Sequence, residues 1–304
     1  MTVIEGEGLT KWYGEVLGLN RFTARFDDGI TGLVGPNGAG KSTFLKLVTG
    51  QLIQDEGSLA VLGEKPFNNQ RLMARLGYCP EHNRLYDYMS GRRFVATLLR
   101  LNGYGREEAE RRAVEGMKLV DLQADMDRPL GGYSKGMRQR TKLAQALAHD
   151  PQLLILDEPL NGTDPVGRAR MMEVIQGLPE QGVSVIVSSH ILHEVERLTD
   201  RIVLIHRGKA IASGLIREIR RLIDEHPHTV RIGTARPRAL AAELAAQDHV
   251  AEIAFDGDML TVRTRDPEAF YRELPGVVVE AGISVTSMES PDDNLEAVFR
   301  YLVG

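Results

Sequence analysis

Gly35-Pro36-Asn37-Gly38-Ala39-Gly40-Lys41-Ser42-Thr43 is the stretch that decides how this 304-residue chain folds and what it handles. Its glycines let the backbone wrap closely enough to aim consecutive N–H groups at one anion. Lys41 adds a point charge that can reach outer phosphates. The Ser42 hydroxyl can ligate a hard cation such as Mg²⁺, and Thr43 can bond a phosphate oxygen. The spacing is that of the P-loop, G-x-x-x-x-G-K-[ST], whose context test is a strand before and a helix after. Ile30–Val34 is a short apolar run, Phe44-Leu45-Lys46-Leu47-Val48 has helical spacing, and Gly50 is a helix stop. A βα turn that binds nothing has no packing use for Lys-Ser-Thr at this point.

Moving outward, Leu153–Leu156 is a continuous apolar run, the pattern of a strand buried on both faces of a parallel sheet, and Asp157-Glu158 follow it directly. In open α/β sheets ligands sit beyond the carboxyl ends of the strands. There Asp157 can hold a Mg²⁺ shell, and Glu158 can poise a water for attack on a terminal phosphate. Val183–Val187 reads as another such strand, reached through a crossover helix over about 166–178. His190 ends that strand at the mouth of the same site, where, as a second catalytic residue beside Glu158, it can contact the terminal phosphate and the attacking water. Strands alternating with helices predict an α/β sheet. The remaining histidines, among them His82, His149, His206 and His249, are assigned to surface or packing roles.

The first thirty residues read as short strands. Residues 88–148 read as mostly helical, with Ser134 as the cap of a helix over 135–148 whose Met137, Thr141, Ala144 and Ala148 line one face. Residues 202–205 and 210–212 read as a hairpin. Composition shifts near Arg220, and Glu225-His226-Pro227-His228 reads as a linker. Beyond it we expect strand 229–232, helix 238–247, strands 250–255 and 259–264, a helix from about 267, strand 283–288 and a helix 294–302. That order suits a small ferredoxin-like α+β domain.

Composition bounds the function. With 42% hydrophobic and 26% charged residues, the chain is neither disordered nor fibrous. A net charge of −5 gives no reason to expect nucleic acid as a partner. The single cysteine, Cys79, cannot form an internal disulfide, which fits a reducing, cytoplasmic setting. No run approaches the ~20 apolar residues that span a bilayer, and the acidic N-terminus lacks a signal-peptide pattern. Work at a membrane therefore needs another chain to supply the span.

Taken together, Gly35–Thr43, Tyr133-Ser134-Lys135-Gly136-Met137-Arg138-Gln139, Leu153–Pro159, Asn161-Gly162-Thr163-Asp164-Pro165 and His190 resemble, in that family's order, the ATP-binding subunit of an ABC transporter. The resemblance covers roughly residues 1–215. It implies a P-loop NTPase core with an antiparallel β subdomain and a helical subdomain over about 82–150, all within 1–220, and leaves 226–304 as an accessory domain. It also implies ATP and Mg²⁺ as ligands. Ser134 and Gly136 match the signature motif, which closes on ATP held by a partner subunit. Asp164 matches the loop that communicates across that dimer, and Tyr13, in Lys11-Trp12-Tyr13-Gly14, the aromatic that stacks on adenine, where either the Trp12 or the Tyr13 ring could stack or simply pack the strand.

Two departures matter. Tyr133, Lys135 and Met137 replace the usual Leu, Gly and Gln of the signature. This variant, the tail Asn294-Leu295-Glu296-Ala297-Val298-Phe299 and the extra domain resemble the branch that pairs with type-2 exporter permeases. Glu81 stands where a glutamine normally touches Mg²⁺ and the attacking water. It either ligates the metal beside the γ-phosphate or is carried outward toward the permease.

The resemblance implies a head-to-tail homodimer sandwiching two ATP molecules, bound to an integral membrane permease at the cytoplasmic face of the cell membrane. Residues 82–105, including Leu85, Tyr86, Tyr88 and Phe94, face that permease or else form the helical subdomain's own core. A soluble ABC ATPase acting on ribosomes or DNA is the rival reading. One cassette, and no room for long coiled coils, weigh against it. A P-loop kinase or GTPase would lack Ser134-x-Gly136 before the carboxylate strand.

Overall fold

The computed structural model describes residues 1–82, 84–219, 227–257 and 259–290. The chain divides into two compact units, Met1–Leu215 and Ile216–Gly304. In the first unit the strands are β1 (Thr2–Tyr13), β2 (Val16–Asp27), β3 (Ile30–Val34), β4 (Glu56–Val61), β5 (Leu76–Cys79), β6 (Leu153–Asp157), β7 (Ser184–Ser189), β8 (Arg201–His206) and β9 (Lys209–Leu215). Its helices are α1 (Lys41–Val48), α2 (Gln70–Met73), α3 (Gly91–Leu101), α4 (Arg106–Leu119), α5 (Lys135–Leu147), α6 (Pro165–Gly177) and α7 (Leu192–Glu196).

The central sheet has the order β5-β6-β7-β3-β8-β9. It is parallel from β5 to β8, and β9 returns antiparallel. The apolar runs of β6 and β7 sit in the middle because both of their faces must be covered. Leu154, Leu156, Val185 and Val187 pack into the core shared with α3–α6. Leu153, Ile155 and Ile186 pack on the other side, with α1 and the β1–β2–β4 sheet. There Phe44 of α1 meets Phe22 and Phe26 of β2, with ring centroids 4.8 and 5.2 Å apart. Each fully buried ring contributes roughly 1.5–3 kcal/mol. Together they seat α1, and so the loop in front of it, on the sheet.

The N-terminal region differs from the expected short strands. β1 and β2 are single strands of 12 residues each. Register shifts, including one between Gly6 and Leu9, break the side-chain alternation that would have announced their length. The buried side of α5 also differs: besides Thr141 and Ala144 it includes Gln139 and Lys142, whereas Met137 is only partly covered.

The second unit holds β10 (His228–Thr234), α8 (Pro237–Leu244), β11 (Val250–Asp256), β12 (Met259–Thr264), α9 (Pro267–Glu280) and β13 (Val285–Glu289). Its strands form an antiparallel sheet in the order β11-β12-β10-β13. Val230, Ile232, Leu260 and Val262 face Leu240, Leu244, Phe270 and Leu274 in its core. The expected helix 294–302 and tail motif, and linker residues Glu225 and His226, lie outside the described residues.

Candidate functional site

β3, β5, β6 and β7 run parallel, so their carboxyl ends share one edge of the sheet. That edge collects the loop 35–43, Glu81 two residues past β5, Asp157 and Glu158 at the end of β6, and His190 just past β7. A cleft of about 430 Å³ opens there, lined by Tyr13, Gly18, Pro36, Asn37, Gly38, Ala39, Gly40, Lys41, Ser42, Thr43, Glu81 and Glu158 among others.

The loop's shape follows from its glycines. Gly40 has φ 109°, and a Cβ there would stand 2.7 Å from the Gly18 carbonyl. A Cβ on Gly35 would stand 2.3 Å from the Ile205 carbonyl. Gly40 is also the residue before α1, and it supplies no side-chain cap. The first amides of an α-helix have no intrahelical partner, so this end is suited to an anion.

Lys41 is buried (6% exposed) and donates to the Gly35 carbonyl at 2.7 Å and the Pro36 carbonyl at 3.3 Å. Its Nζ lies 3.3 Å from Glu158 Oε1, without hydrogen-bond geometry. That oxygen is buried and accepts no hydrogen bond among the described residues. Glu158 Oε2 lies 2.9 Å from His190 Nδ1. The Glu158 backbone has φ 49°, a strained conformation for a glutamate that turns the chain abruptly out of β6. Two contacts hold it: its N–H donates to Ser188 Oγ at 3.0 Å, and its carbonyl accepts from Gln139 Nε2 at 3.1 Å. The Ser188 hydroxyl in turn donates to Asp157 Oδ1 at 2.6 Å. Ser188 thus ties the Asp157 carboxylate to the Glu158 main chain, a role the sequence did not announce. Its signal was a hydroxyl ending the apolar run of β7, opposite Asp157 in the ladder.

Tyr13 borders the cleft. A Cβ on Gly18 would meet its ring at 2.8 Å, and its hydroxyl donates to Thr43 Oγ1 at 3.4 Å. Just ahead of it, Asp55 accepts from Lys11 Nζ at 2.9 Å and from the Trp12 N–H at 2.6 Å. The Lys11 contact is the main reason the Asp55 carboxyl is held below the ordinary range. Asp55 was also missed; no motif flags it.

Glu81 lines the cleft with Ser42. The loop that carries it is held by Lys142, which is 2% exposed and donates to the Pro80, Glu81 and His82 carbonyls at 2.6, 3.1 and 3.4 Å. Burial pushes the Lys142 ammonium below the usual lysine range, and pushes the neighbouring Cys79 thiol up to about 11. Ser42 and Glu81 line the cleft, whereas Asp157, buried at the end of β6 with Oδ1 accepting from Ser188, and His190 are not among its lining residues; together Ser42, Asp157 and Glu81 offer one hydroxyl and two carboxylates at this edge of the sheet. That donor set fits Mg²⁺, which keeps several water and phosphate ligands of its own.

Ser134, Gly136 and Asp164 do not line the cleft. They form a second group. Ser134 Oγ accepts the Met137 N–H at 3.2 Å, capping α5, and Asp164 accepts the Gly167 N–H at 2.9 Å, capping α6. That hydrogen bond is the main cause holding the Asp164 carboxyl below its ordinary range. A Cβ on Gly136 would stand 2.9 Å from Asp164 Oδ2, so the two motifs touch. Of the four residues considered for a permease surface, Phe94 is buried, Leu85 packs partly against the core, and Tyr86 and Tyr88 are exposed.

This fold and cleft define a nucleotide-binding ATPase cassette. The ABC transporter family model matches residues 22–161. The Nod factor export ATP-binding protein I of Rhizobium sp. (strain N33) is 32% identical over 99% of this chain and 97% of its own length. An ABC transporter ATP-binding protein of Synechocystis sp. (strain ATCC 27184 / PCC 6803 / Kazusa) is 37% identical over 75% of this chain, the match covering 65% of that protein. Among solved structures, an ATP-binding subunit of an ABC transporter superposes with a TM-score of 0.67 at 28% identity, over 73% of this chain and 93% of that one. The chain belongs to the ABC transporter family, as an ATP-binding subunit. No helix among the described residues is long and apolar enough to cross a membrane.

Proposed function

We propose that this chain hydrolyses ATP in composite sites formed by two copies arranged head to tail, and drives export through a separate integral membrane permease at the cytoplasmic face of the cell membrane. The observation that carries the reading is Glu158, held at the cleft between the Lys41 ammonium and the His190 ring. A carboxylate fixed there with one oxygen lacking a hydrogen bond is placed to accept a proton from a water attacking the terminal phosphate. His190 orients that carboxylate. Lys41 and the amides at the start of α1 take the charge of the transferring phosphoryl group. Bound Mg²⁺ would neutralise phosphate charge, held by Ser42 and Asp157 with Glu81 beside it. Tyr13 offers its ring to adenine.

The second copy enters because Ser134 and Gly136 stand apart from the cleft of their own chain. The start of α5 is an anion-binding end, and on a partner it would meet the γ-phosphate held by the first copy. ATP then favours the closed pair, and hydrolysis removes the contact that held it. Tyr86 and Tyr88, exposed beside the helical subdomain, are the proposed permease contacts. Export is supported by the signature variant and by the name of the Nod factor relative. We assign the second unit, on its strand order, to a ferredoxin-like accessory domain. Glu158→Gln tests the reading. Turnover falls by roughly 10²–10⁴-fold in a phosphate-release assay, with ATP affinity kept; full turnover would overturn it.

A further inference from the structure

We propose that Lys142 is a positioning residue for the ATP site: it ties the loop carrying Glu81 to the helix that begins at Ser134. Gln139, Lys142 and Gln145 follow one another at three-residue steps along α5. Each donates to main-chain carbonyls at the end of β5 or β6. Gln139 holds the Glu158 carbonyl at 3.1 Å, and Gln145 holds the Tyr78 carbonyl at 2.7 Å. Lys142 grips three consecutive carbonyls, those of Pro80, Glu81 and His82. Three acceptors match the three donors of an ammonium.

The contact is tight elsewhere too. A Cβ on Gly77 of β5 would stand 2.2 Å from the Ala146 carbonyl, so helix and strand meet backbone to backbone with no side chain to absorb a shift. Eight residues of helix, about 12 Å, separate Ser134 from Lys142. A displacement of Ser134 on meeting a partner's phosphate is therefore delivered by a rigid rod to the Glu81 loop. A neutral aliphatic chain of the same volume would fill the space and take the Lys142 donor away from the three carbonyls. Ser134 closure and Glu81 placement would then be uncoupled.

This inference rests on Glu81 and Ser134 being ATP-site residues as proposed above. The test is a double-mutant cycle in ATPase assays on the full chain, with Lys142→Met, Glu81→Ala and the pair. Lys142→Met is expected to lower kcat by roughly fivefold or more with KM for ATP within about twofold, and to have no further effect once Glu81 is Ala. An equal loss in both backgrounds means Lys142 only stabilises the fold, and overturns the proposal. If Glu81→Ala alone leaves kcat unchanged, the Glu81 reading fails and the latch loses its target. If Glu81→Ala lowers kcat but does not couple to Lys142, the latch alone fails. Should Lys142→Met not fold, as judged by circular dichroism, Lys142→Gln runs the same cycle.

Discussion

Helices α1 and α5 both start at motifs that the proposed function brings to phosphate, yet they are finished differently. α1 follows a left-handed glycine and has no side-chain cap. α5 follows an extended serine whose hydroxyl already accepts an amide of the first turn. The contrast fits the proposed division of labour. The end that takes phosphate within its own chain keeps its amides for the ligand. The end that waits for a second subunit is capped, so it holds its shape alone, and the Ser134 hydroxyl still has a proton to donate.

The largest effect that would break this contrast lies at α1. Lys41→Ala is expected to weaken ATP binding roughly ten- to hundredfold and to abolish turnover, as read by equilibrium binding and phosphate release. Unchanged affinity would remove the cleft from the nucleotide path. At α5 the expected effect is split. Ser134→Ala should cost about 1 kcal/mol of stability through the lost cap, whereas Ser134→Gly costs only a few tenths. Turnover should fall in both, with nucleotide affinity of the single chain intact. If turnover follows stability instead, recovering in the glycine variant, Ser134 is a cap and nothing more.

Smaller still is Asp55→Ala. It should raise KM for ATP by roughly two- to fivefold with kcat kept, because it only steadies the strand end before Tyr13. The Asp55 carboxyl is held below its ordinary range, so the clamp is intact at neutral pH and is lost only as pH falls below that range. An unchanged KM would separate Asp55 from Tyr13. The smallest effect concerns Cys79, whose buried thiol is pushed up to about 11. A raised thiol pKa disfavours the reactive thiolate. Cys79 should therefore resist thiol reagents at pH 8 in the folded chain and react on adding denaturant; fast labelling of the native protein would mean that β5 opens.

The parallel strands and the phosphate loop were legible because their signals are local. An apolar run beside Asp157-Glu158 and a glycine spacing before Lys41 each carry their own physics. The length of β1 and β2 was not legible, since bulges scramble a two-residue period. Ser188, Lys142 and Asp55 were not legible for another reason, and Gln139, legible as part of its motif, gave no sign of its partner. Each acts on a residue distant in sequence, as Lys142 does on Glu81, and a polar side chain, whether in a polar run such as Gln54-Asp55-Glu56 or at the end of an apolar one such as Ser188, does not say which carbonyl or main-chain amide it will meet. Glu158's strained backbone likewise follows from its neighbours rather than from its own identity.

The pairing of two copies across ATP is tested most directly by sedimentation of the Glu158→Gln chain with and without ATP. A monomer without nucleotide that becomes a dimer with ATP, and a Glu158→Gln chain also carrying Ser134→Arg that stays monomeric at saturating ATP, is the expected result. A chain that binds ATP and remains monomeric, or a dimer indifferent to Ser134→Arg, would contradict it.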